Sequence, residues 1–212
     1  MISLNAGFLF ALVGSAIGSP VEVRQQSLAS SIQNDLQVKD CKGMTVIFAR
    51  GTTESGNVGT LAGPPFFQAL SKMVGGDLAV QGVDYPADIP GFLAGGDANG
   101  SKLMAQLVQQ AMQDCPNTKV VMAGYSQGGQ LVHNAAQQLP TATAQKVSSA
   151  VIFGDPNNGD AVKGVSADQT KVICHTGDNI CDGGTLILTP HLTYGSDANE
   201  AAAFAATTAG MA

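Results

Sequence analysis

The residues most suited to chemistry sit in KVVMAGYSQGG, where Gly124-Tyr125-Ser126-Gln127-Gly128 fits the pattern G-x-S-x-G. The pattern follows an apolar run and opens a helical one, which is the context that makes it a nucleophile elbow. Glycines on both sides admit a turn so sharp that a side chain there would strike the neighbouring strand or helix. Such a turn lifts the Ser126 hydroxyl above a sheet and sets it at a helix N-terminus, where developing negative charge is favoured. A serine needs a base, and the base needs a carboxylate to orient it.

Three histidines are present. His133 falls beside Asn134 and Gln137 on the polar face of the helix after the elbow and is expected to be solvated. His175 follows Cys174 and would need an earlier acid, such as Asp155 or Asp160. His191 lies in LILTPHLTYG, after Asp178. In folds built on this elbow the order along the chain is serine, acid, histidine. Ser126, Asp178 and His191 satisfy it, so His191 is the expected base and His175 a bystander.

These residues need elements to carry them. MTVIFARG (44–51), LAVQGVDYP (78–86), KVVMAGYS (119–126), SAVIFGDP (149–156) and KVICHTGD (171–178) each read as a buried strand running into a loop. Segments 64–74, 101–113, 127–139 and 198–209 read as helices. Leu103, Leu107 and Ala111 share one helical face, as do Leu131, Ala135 and Leu139. The alternation predicts an α/β fold, a five-stranded parallel sheet flanked by helices. Ligands bind beyond the carboxyl ends of such strands, where all these loops open.

The 212 residues are 44% hydrophobic, enough for one domain with a full core. A net charge of -6 with only ten Lys and Arg excludes a clustered basic surface, so no nucleic acid or anionic membrane is expected as a partner. The apolar run Ala6–Ile17 is too short to span a bilayer and has the length of a signal-peptide core. Residues 1–18 are therefore expected to be a signal peptide, 19–39 a short pro-segment or flexible tail, and 40–212 the domain. The protein is expected to be secreted, without integral membrane association, and monomeric.

Secretion makes the four cysteines an expected pair of disulfides. Three pairings are possible, and the closeness of Cys174 and Cys181 in sequence favours Cys174–Cys181 with Cys41–Cys115. Loop entropy assigns about 4.5 kcal/mol to the long loop and about 2.5 to the short one, so the short bridge is expected to order its surroundings. The spacing Cys174, His175, Asp178, Cys181 could also hold zinc, but the even cysteine count disfavours it and no metal is expected. GGDANGSK (95–102) lacks the lysine directly after the last glycine that a phosphate loop requires. FGDPNNGD (153–160) reads as a turn. Asn99-Gly100-Ser101 is a glycosylation sequon.

With these residues in place, the chain resembles the cutinases, fungal-type secreted serine esterases of carbohydrate esterase family 5. The resemblance rests on FARGTTESGN (48–57), GYSQGG (124–129), CHTGDNIC (174–181) and PHLTYG (190–195). It implies a small, lidless α/β-hydrolase that cuts ester bonds in lipid-like polyesters without a cofactor. It also implies Ser126 as nucleophile, His191 as base and then acid, and Asp178 as orienting carboxylate. The oxyanion hole would be formed by the backbone N–H groups of Gln127 and Thr52, helped by the Thr52 hydroxyl.

Pro90, Phe92 and Leu93 on one side and Ile187, Leu188 and Leu192 on the other are expected to wall an apolar cleft. The same family includes acetylxylan esterases, though apolar residues near His191 argue against a sugar-facing groove. A third reading is a catalytically idle secreted protein that binds cell-wall polymer or is recognised by a host.

Overall fold

The computed structural model describes residues 27–212. The expected signal peptide, and residues 19–26 of the expected tail, lie outside the described residues.

Five parallel strands form one sheet in the order β2-β1-β3-β4-β5: β1 (Met44–Ala49), β2 (Leu78–Gly82), β3 (Lys119–Tyr125), β4 (Ser149–Phe153) and β5 (Thr170–Ile173). Among the described residues six α-helices accompany them: α1 (Gly63–Met73), α2 (Ile89–Leu93), α3 (Ala98–Asp114), α4 (Gln127–Gln138), α5 (Thr141–Ala144) and α6 (Ala198–Thr208). The expected strands and long helices are all present; the short helix α2 falls between the expected strand 78–86 and the expected helix 101–113.

The inner strands are apolar on both faces because helices cover both. Successive side chains alternate. Met44, Val46 and Phe48 of β1, Val121 and Ala123 of β3, and Val151 and Phe153 of β4 join Phe66, Phe67 and Leu70 of α1 and the alanines of α6 in one core layer. Ile47 and Ala49, Val120 and Met122, and Ala150 and Ile152 meet α3 and α4 in the other. On α3 the innermost side chains are Met104, Val108 and Ala111; Leu103 and Leu107 sit at the margin, only partly buried. The two faces overlap, and the inner one is set by α4 and β1, which the periodicity of α3 alone does not specify.

Residues 27–37 are not a free tail. The Gly82 N–H donates to the Gln33 carbonyl at 2.9 Å, Asn34 bridges to Gln81, and the Val80 N–H donates to Asp35 Oδ2 at 2.8 Å. The Asn57 side chain accepts from the Gln33 N–H and donates to its carbonyl. This segment covers the exposed edge of β2, whose unpaired backbone groups would otherwise invite another strand. The folded unit thus begins before residue 40. The disulfide Cys41–Cys115 ties the lead into β1 to the end of α3.

Candidate active site

The loops after β1, β3, β4 and β5 converge at one end of the sheet. Ser126 stands between β3 and α4 with φ 57° and ψ -120°, a strained conformation for a residue with a side chain. It is held there by its N–H donating to the Phe153 carbonyl at 2.9 Å and its carbonyl accepting from Gly129. A Cβ on Gly124 would collide with the Gly128 backbone, and one on Gly128 would collide with the Ala49 carbonyl of β1. Only glycine at both places lets strand and helix approach closely enough to make the turn.

His191 lies in a short 3-10 turn, Thr189–Leu192, and is almost wholly buried. Its Nε2 is 2.9 Å from Ser126 Oγ, and its Nδ1 is 2.8 Å from Asp178 Oδ2. The geometry is that of a hydroxyl donating to Nε2 while Nδ1–H donates to the carboxylate, the arrangement a serine nucleophile and its base require. The ring is pinned from two sides. Tyr125 lies beside it, with ring centres 5.1 Å apart, and donates its hydroxyl to the His191 carbonyl at 2.8 Å. Gly154, at φ +57°, approaches so closely that a Cβ would press on the His191 and Tyr194 rings.

Asp178 is buried in the loop closed by the Cys174–Cys181 disulfide. Burial works against its charge. It is outweighed by hydrogen bonds from the Tyr194 hydroxyl (2.6 Å) and from His191, by the charge of His191, and by the Ile180 N–H, which donates to Oδ1 at 3.0 Å. The net effect holds the carboxyl below the usual carboxylate range. The Cys181 sulfur rests 3.6 Å from Oδ2 as a packing contact, because a disulfide sulfur carries no proton. Both loop sulfurs are engaged in that bridge, so neither is a thiolate able to hold zinc.

Thr52 and Gln127 also meet. Gln127 Nε2 donates to Thr52 Oγ1 at 2.8 Å and to the Asp88 carbonyl at 2.9 Å. Because Thr52 Oγ1 accepts that bond, its own hydrogen is free to point elsewhere. The Gln127 N–H is among the first of α4 and has no partner within the helix. The loop carrying Thr52 is shaped by two residues that spacing did not single out. Arg50 is buried and donates to the carbonyls of Glu54 (2.8 Å) and Tyr85 (2.7 Å). Glu54 accepts the N–H groups of Gly51, Thr60 and Leu61. Both lie within FARGTTESGN, yet nothing local distinguishes them from surface charges.

A cleft of about 550 Å³ opens over Ser126 and His191. Phe92, Leu93, Ile187 and Leu192 all line it, and Ile89 and Leu61 join them. Pro90 and Leu188 are not among the lining residues. Ile89, Leu93, Ile187 and Leu192 are all about half exposed or more, so the mouth presents apolar surface to solvent.

The other two histidines differ from expectation. His133 is not solvated: it is 3% exposed and its Nε2 lies 2.9 Å from Asp155 Oδ2. Asp155 follows Gly154 at the end of β4 and meets the face of α4 that packs on the sheet, contacts no helical wheel reveals. His175 is outside the serine–histidine–aspartate array, but it is bonded to the His191 loop.

A parallel sheet with a strained serine elbow after its central strand, and a histidine and an aspartate brought to it from later loops, defines an α/β-hydrolase with a serine–histidine–aspartate site. The cutinase family model matches residues 40–209, and the chain belongs to that family. It is 58% identical to a cutinase of Botryotinia fuckeliana over 87% of this chain and 92% of that one. It is 59% identical to a cutinase of Monilinia fructicola over 83% of this chain and 88% of that one. The Trichoderma reesei cutinase, solved in complex with a phosphonate inhibitor, superposes with a TM-score of 0.80 at 48% identity, covering 85% of this chain and 81% of that one.

Proposed function

We propose that the protein is a secreted carboxylic ester hydrolase acting on cutin-type polyesters and short-chain esters through a Ser126 acyl-enzyme. The observation that carries this reading is the unbroken chain Ser126 Oγ, His191 Nε2 and Nδ1, Asp178 Oδ2, at 2.9 and 2.8 Å, on the floor of an apolar cleft. Ser126 Oγ attacks the ester carbonyl as its proton passes to His191 Nε2. The oxyanion is stabilised by the N–H groups of Gln127 and Thr52 and by the Thr52 hydroxyl, which the Gln127 amide orients as a donor. Asp178 stabilises the imidazolium. His191 then gives the proton to the departing alcohol, and water, activated by the same ring, releases the acid.

The apolar mouth suits an acyl chain better than a sugar, which favours aliphatic esters over acetylated xylan. Two disulfides suit an oxidising compartment, and among the described residues no helix is long and apolar enough to cross a membrane. Hydrolysis of p-nitrophenyl butyrate tests the reading. Ser126→Ala is expected to lower kcat by about 10⁵–10⁶ while the protein stays folded. A phosphonate ester should label the parent stoichiometrically and the variant not at all. An active, unlabelled Ser126→Ala protein would overturn it.

A further inference from the structure

His175 is the histidine that the esterase mechanism leaves unused, and its surroundings are unusually specific. Its Nε2 is 2.7 Å from Asp197 Oδ2, at the start of α6. Its Nδ1 is 2.9 Å from the carbonyl of Pro190, the peptide carbonyl joined directly to His191. The ring is stacked on Tyr194, with centres 4.2 Å apart and planes 22° from parallel. Tyr194 in turn donates to Asp178 and accepts the His175 N–H at 3.0 Å. One side chain thus touches the backbone of the base and the ring that supports the acid.

Both ring nitrogens face acceptors. A carbonyl oxygen and a carboxylate cannot donate, so a neutral imidazole, with a single N–H, satisfies only one of them. The doubly protonated ring satisfies both. The Thr193 hydroxyl, which donates to the Pro190 carbonyl at 3.0 Å and lies 3.1 Å from His175 Nδ1, offers the neutral ring a different arrangement. Turned toward Nδ1, it leaves the carbonyl it had held. The His175 side chain is 24% exposed, so its proton exchanges with solvent, whereas the His191 side chain is 1% exposed.

We infer that His175 is a positioning residue whose doubly protonated ring ties the Pro190–His191 peptide to Asp197, and that losing its proton loosens the seat of His191. The inference rests on the esterase reading for its catalytic consequence. The ionisable groups around the ring are Asp197 just before α6, Asp178 on its own loop and Tyr194 beneath it; Lys171 of β5 is engaged by Glu200. Burial opposes the charge, but the Pro190 carbonyl, the Asp197 hydrogen bond and the charges of Asp197 and Asp178 outweigh it, holding the pKa above the ordinary imidazole value.

The test begins with the parent protein. In ¹⁵N-detected spectra at pH 5.5, both His175 ring nitrogens should carry protons, and the His191 Nδ1–H resonance should shift as His175 titrates. Asp197→Asn keeps the shape and removes the charge. Its kcat for p-nitrophenyl butyrate should be about tenfold lower near neutral pH, with KM unchanged. That deficit should shrink as pH rises, because the parent loses the same tie. A purely structural role would give a deficit independent of pH. A bare His175 nitrogen at pH 5.5, a His191 resonance indifferent to the titration, or superimposable pH profiles would each overturn the inference. An inactive parent would count against the esterase reading and leave the spectra to decide this one.

Discussion

Tyr194 donates its hydroxyl, at 2.6 Å, to the same Asp178 oxygen that lies 2.8 Å from His191 Nδ1. The tyrosine is fully buried, and burial together with that carboxylate pushes its pKa well above the ordinary phenol value, so it stays a donor at any working pH. It holds in place the carboxylate oxygen that receives the imidazole N–H.

Tyr194→Phe should therefore lower kcat about tenfold with little change in KM, and destabilise the fold by about 2 kcal/mol at neutral pH. The sign with pH follows from the direction of the Asp178 shift. A carboxyl held below its ordinary value contributes stability above that value and loses it as pH falls through the folded-state pKa. The difference between parent and variant should be full at pH 6–7 and fade below about pH 4. Urea titrations across that range measure it.

Thr52→Val conserves shape and deletes the hydroxyl that Gln127 orients. The expected cost is about 10²-fold in kcat with KM within about twofold, because the donor acts on charge that develops only in the transition state. Steady-state kinetics on p-nitrophenyl butyrate decide it. An equal rise in KM would move Thr52 to substrate binding instead.

Gly128→Ala places a methyl against the Ala49 carbonyl of β1. The strand cannot yield without breaking its pairing with β3, so a loss of about 3 kcal/mol or more is expected. The denaturation midpoint and yield of folded protein report it. Gly75→Ala, at a position with open space but φ +64°, should cost only about 1 kcal/mol.

The two disulfides should separate by phenotype. Replacing Cys174 and Cys181 by serine removes only about 2.5 kcal/mol of loop entropy but frees the loop that holds Asp178. Activity should fall under conditions where circular dichroism is unchanged. Replacing Cys41 and Cys115 should instead lower the unfolding midpoint, with specific activity of the folded fraction retained.

Leu93→Asp and Ile187→Asp place charge at exposed positions in the lining of the cleft. Each should raise KM about tenfold for octanoate esters and change acetate esters little, because only the longer chain reaches those positions. Comparing butyrate, octanoate and acetylated xylan as substrates gives the chain-length profile that distinguishes an acyl-binding groove from a sugar-binding one.

The parallel sheet was legible because buried strands must be continuously apolar and helices must show a 3.6-residue period, and both are properties of short windows. That Ser126, Asp178 and His191 would meet was legible for a similar reason: the elbow needs its glycines, and the order along the chain limits which acid and which histidine can come to it. Arg50, Tyr125 and Tyr194 were not, because their partners are carbonyls and a carboxylate up to 66 residues away; Glu54 was not, because the backbone N–H groups it accepts belong to an irregular loop that follows no period. Periodicity carries no trace of such partners. The same reason explains the histidines. His133 reads as polar on its helix and is buried only because Asp155 arrives from β4.

By itself the sequence determined the layers, the elbow and the identity of the residues that meet at the strand ends, since backbone sterics and side-chain period are local. Only the tertiary structure decided what seats them: the Tyr194 hydroxyl on Asp178, the Gln127 amide on Thr52, and His175 on the peptide of His191. Those are hydrogen bonds between segments distant along the chain, and their existence depends on distances that no window of sequence contains.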